Sequence, residues 1–246
     1  MQQRVLDKDL SNVIVIHMLT RVNHERIDEC PPGLDFAVED PEHMKVLIDN
    51  ARKGAYQYDQ YTDLVAISCL HAGNYYHFLW CEEAPRITNE GNTIIRVSSS
   101  ERDVIADFLL FLREIHVEVA DTVIHNAALA GWHMRSMWGL LVNKAFSYRL
   151  SLPHSLMSDP MRKFQSVDNI IAVDSMYTQG CNYERRPPSL GDVLTYWGYG
   201  ERSSYKSQGE LNNAICTNSE YAAAGLEVYL RGMRNAVDDY YGIVKK

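Results

Sequence analysis

One stretch of the chain reads Asn12-Val-Ile-Val-Ile-His17-Met-Leu-Thr20. It is short, almost wholly apolar and rich in β-branched side chains, a composition that fits a strand buried on both faces. We therefore predict that this run is a buried strand of an α/β domain.

The overall composition is that of an ordinary globular protein. The 246 residues are 46% hydrophobic and 23% charged, which excludes a disordered or collagen-like chain, and we expect one domain spanning residues 1–246. No apolar run reaches the ~20 residues of a membrane helix, and no signal peptide is recognisable. Five scattered cysteines favour reduced thiols, so we expect a cytoplasmic protein without a membrane partner.

Further strand and helix signals follow in a mixed order. Residues 21–40 are predicted to form a loop, and His71-Ala-Gly-Asn74 is typical of a hairpin turn. The remaining predicted strands are 63–70, 75–81, 93–97, 121–125 and 170–174, and the predicted helices are 41–53, 98–115, 132–146, 189–197 and 219–241. This order predicts a mixed sheet flanked by helices.

The helix after residue 98 has the clearest pattern. Ser98-Ser-Ser-Glu101 is a candidate capping box at its start. Apolar residues then recur at the spacing of one helical face, namely Val104, Ile105, Phe108, Leu109, Leu112 and Ile115. We expect this stripe to be buried against the sheet.

Several short motifs occur in a recognisable order. Ile124-His125-Asn126 is followed by Gly131-Trp132-His133, and Thr217-Asn-Ser-Glu-Tyr221 continues to Val228-Tyr-Leu-Arg231. With the first strand, the hairpin and the amphipathic helix, this set resembles the 3'–5' exonuclease domain related to the proofreading domain of family-B DNA polymerases, in the DEDD superfamily. The resemblance covers roughly residues 11 to 242. It implies a ribonuclease-H-like, DnaQ-like sheet flanked by helices.

The resemblance also implies where the catalytic acids belong. Its D-x-E pair falls on His17 and Leu19, its G-F-D aspartate on His133, its last aspartate on Tyr221, and the preceding tyrosine on Thr217. In such enzymes these carboxylates hold two divalent ions about 3.5–4 Å apart. None of the acids remains, so we expect no metal and no cofactor. The predicted function is a catalytically inactive homologue that serves as a binding or assembly subunit of a nucleic-acid-processing complex.

Two other functions stay open. The first is an active 3'–5' exonuclease that holds Mg²⁺ or Mn²⁺ through non-standard ligands. The second is a module that binds single-stranded nucleic acid, for which Asn126, Arg185, Arg186 and Lys206 are the candidate contacts. Asn126 is equally suited to cap a helix, and a small basic group is usually a solvated face.

Histidines and tyrosines leave further alternatives. His17 and His133 could form a site for a soft metal ion, but we favour histidines that fill the space of the lost aspartates. The 15 tyrosines suit either base stacking or a protein interface. A net charge of −8 repels polyanions, so a protein partner is favoured over nucleic acid.

Overall fold

Seven strands form one mixed sheet. The computed structural model describes residues 13–29, 41–54, 59–82, 85–120, 128–152, 170–173, 176, 189–200 and 208–244. The strands are β1 (Val13–Val22), β2 (Thr62–His71), β3 (Asn74–Trp80), β4 (Arg86–Glu90), β5 (Thr93–Ser98), β6 (Ala128–Gly131) and β7 (Ile170–Ala172). Their order across the sheet is β4-β5-β3-β2-β1-β6-β7. The run at residue 13 forms the inner strand β1, and its predicted burial is confirmed from Val13 to Ile16.

The strands pair in two styles. β1, β2 and β3 form an antiparallel meander, and β6 and β7 continue the sheet parallel to β1. On the other side β5 is parallel to β3, and β4 pairs antiparallel with β5 as the last strand. The carboxyl ends of β1, β6 and β7 therefore point to the same edge, which is where ligands bind in many α/β sheets.

Helices cover both faces of the sheet. They are α1 (His24–Glu29), α2 (Pro41–Gly54), α3 (Glu101–Ala120), α4 (Met134–Ser147), α5 (Leu190–Tyr196), α6 (Gln208–Thr217) and α7 (Ser219–Val244). α3 and α4 pack on one face, and α5, α6 and α7 pack on the other. Among the described residues, no helix combines the length and the apolar character needed to cross a membrane.

β1 is apolar on both sides because helices cover both faces of the sheet at this strand. Ile14 and Ile16 belong to the cluster under α3 and α4. Val13 and Val15 belong to the cluster under α5 and α7. Successive side chains of a strand point to opposite faces, so a continuous apolar run is what a doubly covered strand requires.

The prediction for α3 is confirmed in its buried stripe and corrected at its start. All six stripe residues are buried, with Phe108 fully enclosed. The N-cap is Ser100: its Oγ accepts from the Asp103 backbone N at 3.1 Å and donates to Asp103 Oδ2 at 2.7 Å. Ser98 instead ends β5, and Glu101 points into the interior.

The predicted hairpin at residues 71–74 is confirmed. β2 and β3 are joined by Ala72 and Gly73, which have φ angles of 49° and 80°. Positive φ at both central residues is the conformation of a type I′ turn, whose twist matches that of the flanking strands. Glycine adopts it without strain, whereas Ala72 adopts it at a cost.

Two loop predictions were wrong in part. Residues 24–29 form α1 within the predicted loop 21–40. The predicted strand 121–125 lies outside the described residues, but the strand that pairs with β1 is Ala128–Gly131, where we expected a connection. Its four residues, Ala-Leu-Ala-Gly, carry no β-branched side chain, so strand propensity gave no signal there.

Other boundaries shift by a few residues. α4 begins at Met134 rather than residue 132, because His133 has a left-handed conformation with φ 52°. α5 begins at Leu190 rather than residue 189, because Ser189 is its N-cap and its side chain accepts from the Asp192 backbone N. β4 and α6 were not predicted. Cys69 and Cys81 are buried thiols in the apolar core.

Candidate functional site

A row of polar side chains crosses the centre of the sheet on the face that α7 covers. In the strand register, His17 of β1 lies opposite Ser68 of β2, and Ser68 lies opposite His77 of β3. Directly opposite residues of neighbouring strands point to the same face. α7 contributes Tyr229 against His17 and Glu227 against His77.

Ser68, His77 and Glu227 form a chain of polar contacts. The Ser68 Oγ and His77 Nδ1 are 2.8 Å apart. On the other side of the ring, His77 Nε2 lies 3.6 Å from Glu227 Oε1. This second distance is too long for a hydrogen bond, and His77 Nε2 makes none with the described residues. The link between β3 and α7 is therefore electrostatic.

Glu227 is held as a carboxylate by its surroundings. Burial alone would raise its pKa, but the contacts of His77 and Thr93 and the charges of His77 and Arg231 lower that pKa below its ordinary value. The Thr93 Oγ1 donates to Glu227 Oε1 at 2.8 Å. Glu227 thus joins α7 to both β3 and β5.

The order serine, histidine, acid is also that of a nucleophilic triad, so its geometry matters. A nucleophile needs room for a substrate and donors for the developing oxyanion. Ser68 is 0% exposed and His77 is 1% exposed. The contacts therefore fix the middle of the sheet to α7 and leave no space for a reacting group.

His17 is a neutral histidine in an aromatic environment. Its ring centroid lies 5.3 Å from that of Tyr229. Burial lowers the pKa of His17 to about 4, because a charged imidazolium is poorly solvated there. Near neutral pH His17 therefore brings no formal charge to the end of β1.

Leu19 is part of the apolar core. It is 5% exposed and belongs to a cluster formed with α6 and α7. Its helical neighbours in this cluster are Leu211, Ala214, Ile215, Ala222, Ala223 and Leu226. The position that the resemblance gives to a metal-binding glutamate is thus enclosed by hydrocarbon.

Tyr221 and Thr217 lie apart from this face. Tyr221 is 45% exposed, while its neighbours Ala222 and Ala223 face the sheet. Thr217 ends α6 and donates to the Asn213 carbonyl. Asn218 then caps α7 by accepting from the Tyr221 backbone N at 3.0 Å. The resemblance implied one helix bearing both positions, but the cap at Asn218 divides them between two helices.

Glu227 and Tyr221 lie on different faces of α7. The resemblance assigns the position that faces the sheet to Tyr221, but Glu227 occupies it. Glu227 faces the sheet and Tyr221 faces outward. One residue on a helix corresponds to a rotation of about 100°, so a small error in phase exchanges an inward position for an outward one.

His133 follows the strand beside β1. Gly131 pairs with Ile16 at the end of β6, so the turn that holds His133 lies next to the segment that holds His17. The ring of His133 is 5.2 Å from the ring of Trp132. The two histidines thus lie near the ends of neighbouring strands, whereas Thr217 and Tyr221 are exposed on other elements.

The candidate nucleic-acid contacts fall outside the described residues. These are Asn126, Arg185, Arg186 and Lys206. Within the described ranges, no group of three or more His, Cys, Asp or Glu side chains is placed to hold a metal ion.

A second polar cluster, which the sequence interpretation missed, lies under α3 and α4. Glu101 is 3% exposed. Its Oε1 accepts from the Leu64 backbone N at 2.7 Å, and its Oε2 accepts from the Tyr148 hydroxyl at 2.5 Å. Lys144 Nζ lies 3.1 Å from Glu101 Oε1 and 4.0 Å from Asp63 Oδ1. Lys144 is therefore shared by two buried acids.

Two arginines complete this ionic cluster from the surface. Arg26 Nη1 lies 3.0 Å from Asp63 Oδ1, and Arg21 Nη2 lies 3.5 Å from Asp63 Oδ2. Burial, together with the hydrogen bond and the charge of Glu101, raises the pKa of Tyr148 to about 12. The cluster is occupied by its own countercharges, so we assign it to stability. Scattered charged residues gave no sequence signal for it.

A groove lies at the β4 end of the sheet. Its volume is about 520 Å³, and it runs between α3 and the β4–β5 hairpin. Arg96 and Asp107 form an ion pair of 3.1 Å in its wall, and Ser98 donates to the same aspartate. Ile87 lines the groove and is 63% exposed. The groove is remote in the strand order from His17 on β1.

No protein-family model matches this chain, and no curated protein sequence matches it. The site is therefore interpreted from its own geometry.

Proposed function

We propose that this chain is a catalytically inactive homologue of ribonuclease-H-like 3'–5' exonucleases that acts as a binding or assembly subunit. The observation that carries this proposal is the packing around the end of β1. Leu19 is enclosed by the apolar side chains of α6 and α7, and His17 lies against Tyr229. The sheet order and the helices on both faces are compatible with such a fold.

The chemistry of phosphodiester cleavage supports the loss of activity. Two divalent ions must be held by carboxylate oxygens that also balance their charge. A neutral imidazole and an isobutyl side chain supply neither. Leu19 also occupies space in a close-packed cluster, and such an interior rejects hydrated ions. An active enzyme would need ligands from elsewhere in the chain.

The charge of the chain favours a protein partner over nucleic acid. The net charge is −8, and binding to a polyanion gains its free energy from lysine and arginine contacts with phosphates. The tyrosine-rich composition suits a protein interface, since tyrosine gives a large contact area with little loss of rotamer freedom. We therefore propose a role in the assembly of a larger complex.

The test is a cleavage assay paired with a metal titration. A labelled single-stranded oligonucleotide incubated with the chain and Mn²⁺ should remain intact. Calorimetry with Mn²⁺ should show no site tighter than millimolar, since the carboxylates that would hold the ions are replaced. A mock purification, made in the same way from cells that do not express the chain, controls for contaminating nucleases.

Cleavage that co-purifies with the folded chain would contradict the proposal and favour the active exonuclease. Glu227→Gln then tests the sheet-facing acid of α7, with Glu220→Gln, an exposed acid of the same helix, as the matched control. Salt-dependent binding of the intact oligonucleotide without cleavage would instead replace the assembly role by a nucleic-acid-binding one.

A further inference from the structure

β4 is an exposed edge of the sheet. It is the last strand in the order and, within the described part of the chain, pairs only with β5. It has five residues, Arg86-Ile-Thr-Asn-Glu90. Ile87 in this strand is the second most exposed of the large hydrophobic side chains described, at 63%. An edge strand offers unpaired backbone donors and acceptors to another strand.

The turn between β4 and β5 determines which backbone groups face outward. Glu90 pairs with Thr93 across a two-residue turn, in which Gly91 has φ 59°. The residues that flank such a turn form a hydrogen-bonded pair, and hydrogen-bonded pairs alternate along an antiparallel ladder. Thr88 and Arg86 therefore bond to β5. The backbone groups of Ile87 and Asn89 point away from it, toward the open edge.

The sequence of β4 is complementary to itself in the antiparallel direction. Arg86, Thr88 and Glu90 alternate with Ile87 and Asn89, so they share one face of the sheet. Arg86 reaches Ser219 of α7 at 2.7 Å, which identifies this as the α7 face. If two copies of β4 align antiparallel about Thr88, Arg86 of each copy lies opposite Glu90 of the other.

We propose that two copies of this chain associate through their β4 strands, related by a twofold axis at Thr88. In this register Ile87 lies opposite Asn89 of the second copy, so the outward backbone groups of both residues meet and form hydrogen-bonded pairs. Two sheets of seven strands then join into one continuous sheet. Opposite charges across neighbouring strands stabilise the alignment, whereas any shift by two residues loses both ion pairs.

The opposite edge of the sheet does not offer the same match. β7 has three residues, Ile-Ile-Ala, and carries no charge that could set a register. The β4 pairing uses neither His17 nor Leu19, so it goes beyond the proposed function and holds whether or not the chain cleaves nucleic acid. Because the strand is short, the association is weak and depends on protein concentration.

Analytical ultracentrifugation of the whole chain across a wide concentration range tests the proposal. The wild type should show a reversible monomer–dimer equilibrium. Glu90→Arg replaces both Arg86–Glu90 pairs of the dimer by pairs of like charge. It should therefore weaken the dimer by about tenfold or more. Glu114→Arg, which changes another exposed acid away from this edge, should leave the equilibrium unchanged.

Charge exchange provides the specific readout. Arg86→Glu alone should also weaken self-association, and mixing it with the Glu90→Arg chain should restore a heterodimer, because every opposite pair is then of unlike charge. Asn89→Pro, which removes an outward N–H that β5 does not use, should abolish association while the melting temperature shows that the fold is retained. A monomer at all concentrations, or a dimer that Glu90→Arg leaves intact, would overturn the proposal.

Discussion

Two buried polar clusters lie on opposite faces of the sheet, and their polar groups are paired in different ways. Under α7, Ser68 and His77 are polar partners along the row, and the single acid Glu227 lies near the cluster's rim with a side chain 20% exposed. Under α3 and α4, Asp63 and Glu101 are buried acids that require Lys144 and two arginines. A buried charge is tolerated only when it is paired.

The two clusters should therefore differ in how well they tolerate substitutions. The ionic cluster depends on each member, because the removal of one leaves another charge without compensation. Among the described residues, the row under α7 contains one partly exposed acid and no buried ion pair of two obligate charges, so we expect each member to be lost at a smaller cost. The two β1 positions to which the resemblance assigns metal ligands, His17 and Leu19, lie on the face of the more tolerant cluster, in keeping with the proposed loss of metal binding.

The largest effect is expected for Lys144→Met. Methionine has a similar volume, but Glu101 and Asp63 lose the cation that they share. We expect a loss of about 3–5 kcal/mol in the free energy of unfolding, the usual cost of breaking a buried ion pair. Urea denaturation followed by circular dichroism measures it.

The control for this variant is Lys45→Met on α2, where the lysine is exposed. It should change the free energy of unfolding by less than about 0.5 kcal/mol. Glu101→Gln in the Lys144→Met background should recover part of the loss, because it removes the uncompensated charge. Equal midpoints for Lys144→Met and Lys45→Met would show that the ionic cluster is not needed for stability.

An intermediate effect is expected for the pH dependence due to His17. The folded-state pKa of about 4 lies below the ordinary value of 6.5, so the unfolded chain binds the proton more readily. The stability contributed by neutral His17 is therefore present above pH 6.5 and is lost as the pH falls toward 4. Full loss corresponds to about 3 kcal/mol, which is an upper bound for a partly exposed ring.

Denaturation midpoints at several pH values, compared between the wild type and His17→Asn, isolate this contribution. The variant should lose less stability than the wild type between pH 6.5 and 4. His43→Asn, which changes an exposed histidine on α2, should retain the wild-type slope. If His17→Asn has the same pH dependence as the wild type, His17 is solvated in solution and its environment is more polar than the aromatic contact implies.

Sequence patterns predicted the features that depend on local periodicity. The buried stripe of α3, including Phe108 and Leu112, follows from the spacing of apolar residues alone. The burial of β1 follows from its continuous apolar run. β4 was missed because Arg86-Ile-Thr-Asn-Glu90 is short and mostly polar, so its strand character depends on pairing with β5.

The candidate site was less predictable because it depends on tertiary contacts. Glu101 matched a capping pattern, yet its carboxylate is turned inward to Lys144 and Tyr148. The direction of Glu227 depends on the phase of α7, which is set by the cap at Asn218. Neither the cap partner nor the buried ion pair can be inferred from spacing, since competing local patterns fit the same residues.

The smallest effect is expected for Glu227→Gln, which changes the row under α7 rather than the ionic cluster. Glutamine keeps the volume and can still accept from Thr93, but it removes the negative charge beside His77. The His77 contact spans 3.6 Å and the carboxylate side chain is 20% exposed, so we expect a loss of only about 1 kcal/mol at neutral pH. Because the folded-state pKa of Glu227 is lowered, this contribution is present above the ordinary carboxyl pKa and disappears as the acid is protonated at lower pH. A double-mutant cycle with His77→Gln measures the coupling, and Glu220→Gln serves as the exposed control. A coupling as large as the Lys144 effect would mean that the row under α7 is also an obligatory ion pair, and the contrast between the two faces would then fail.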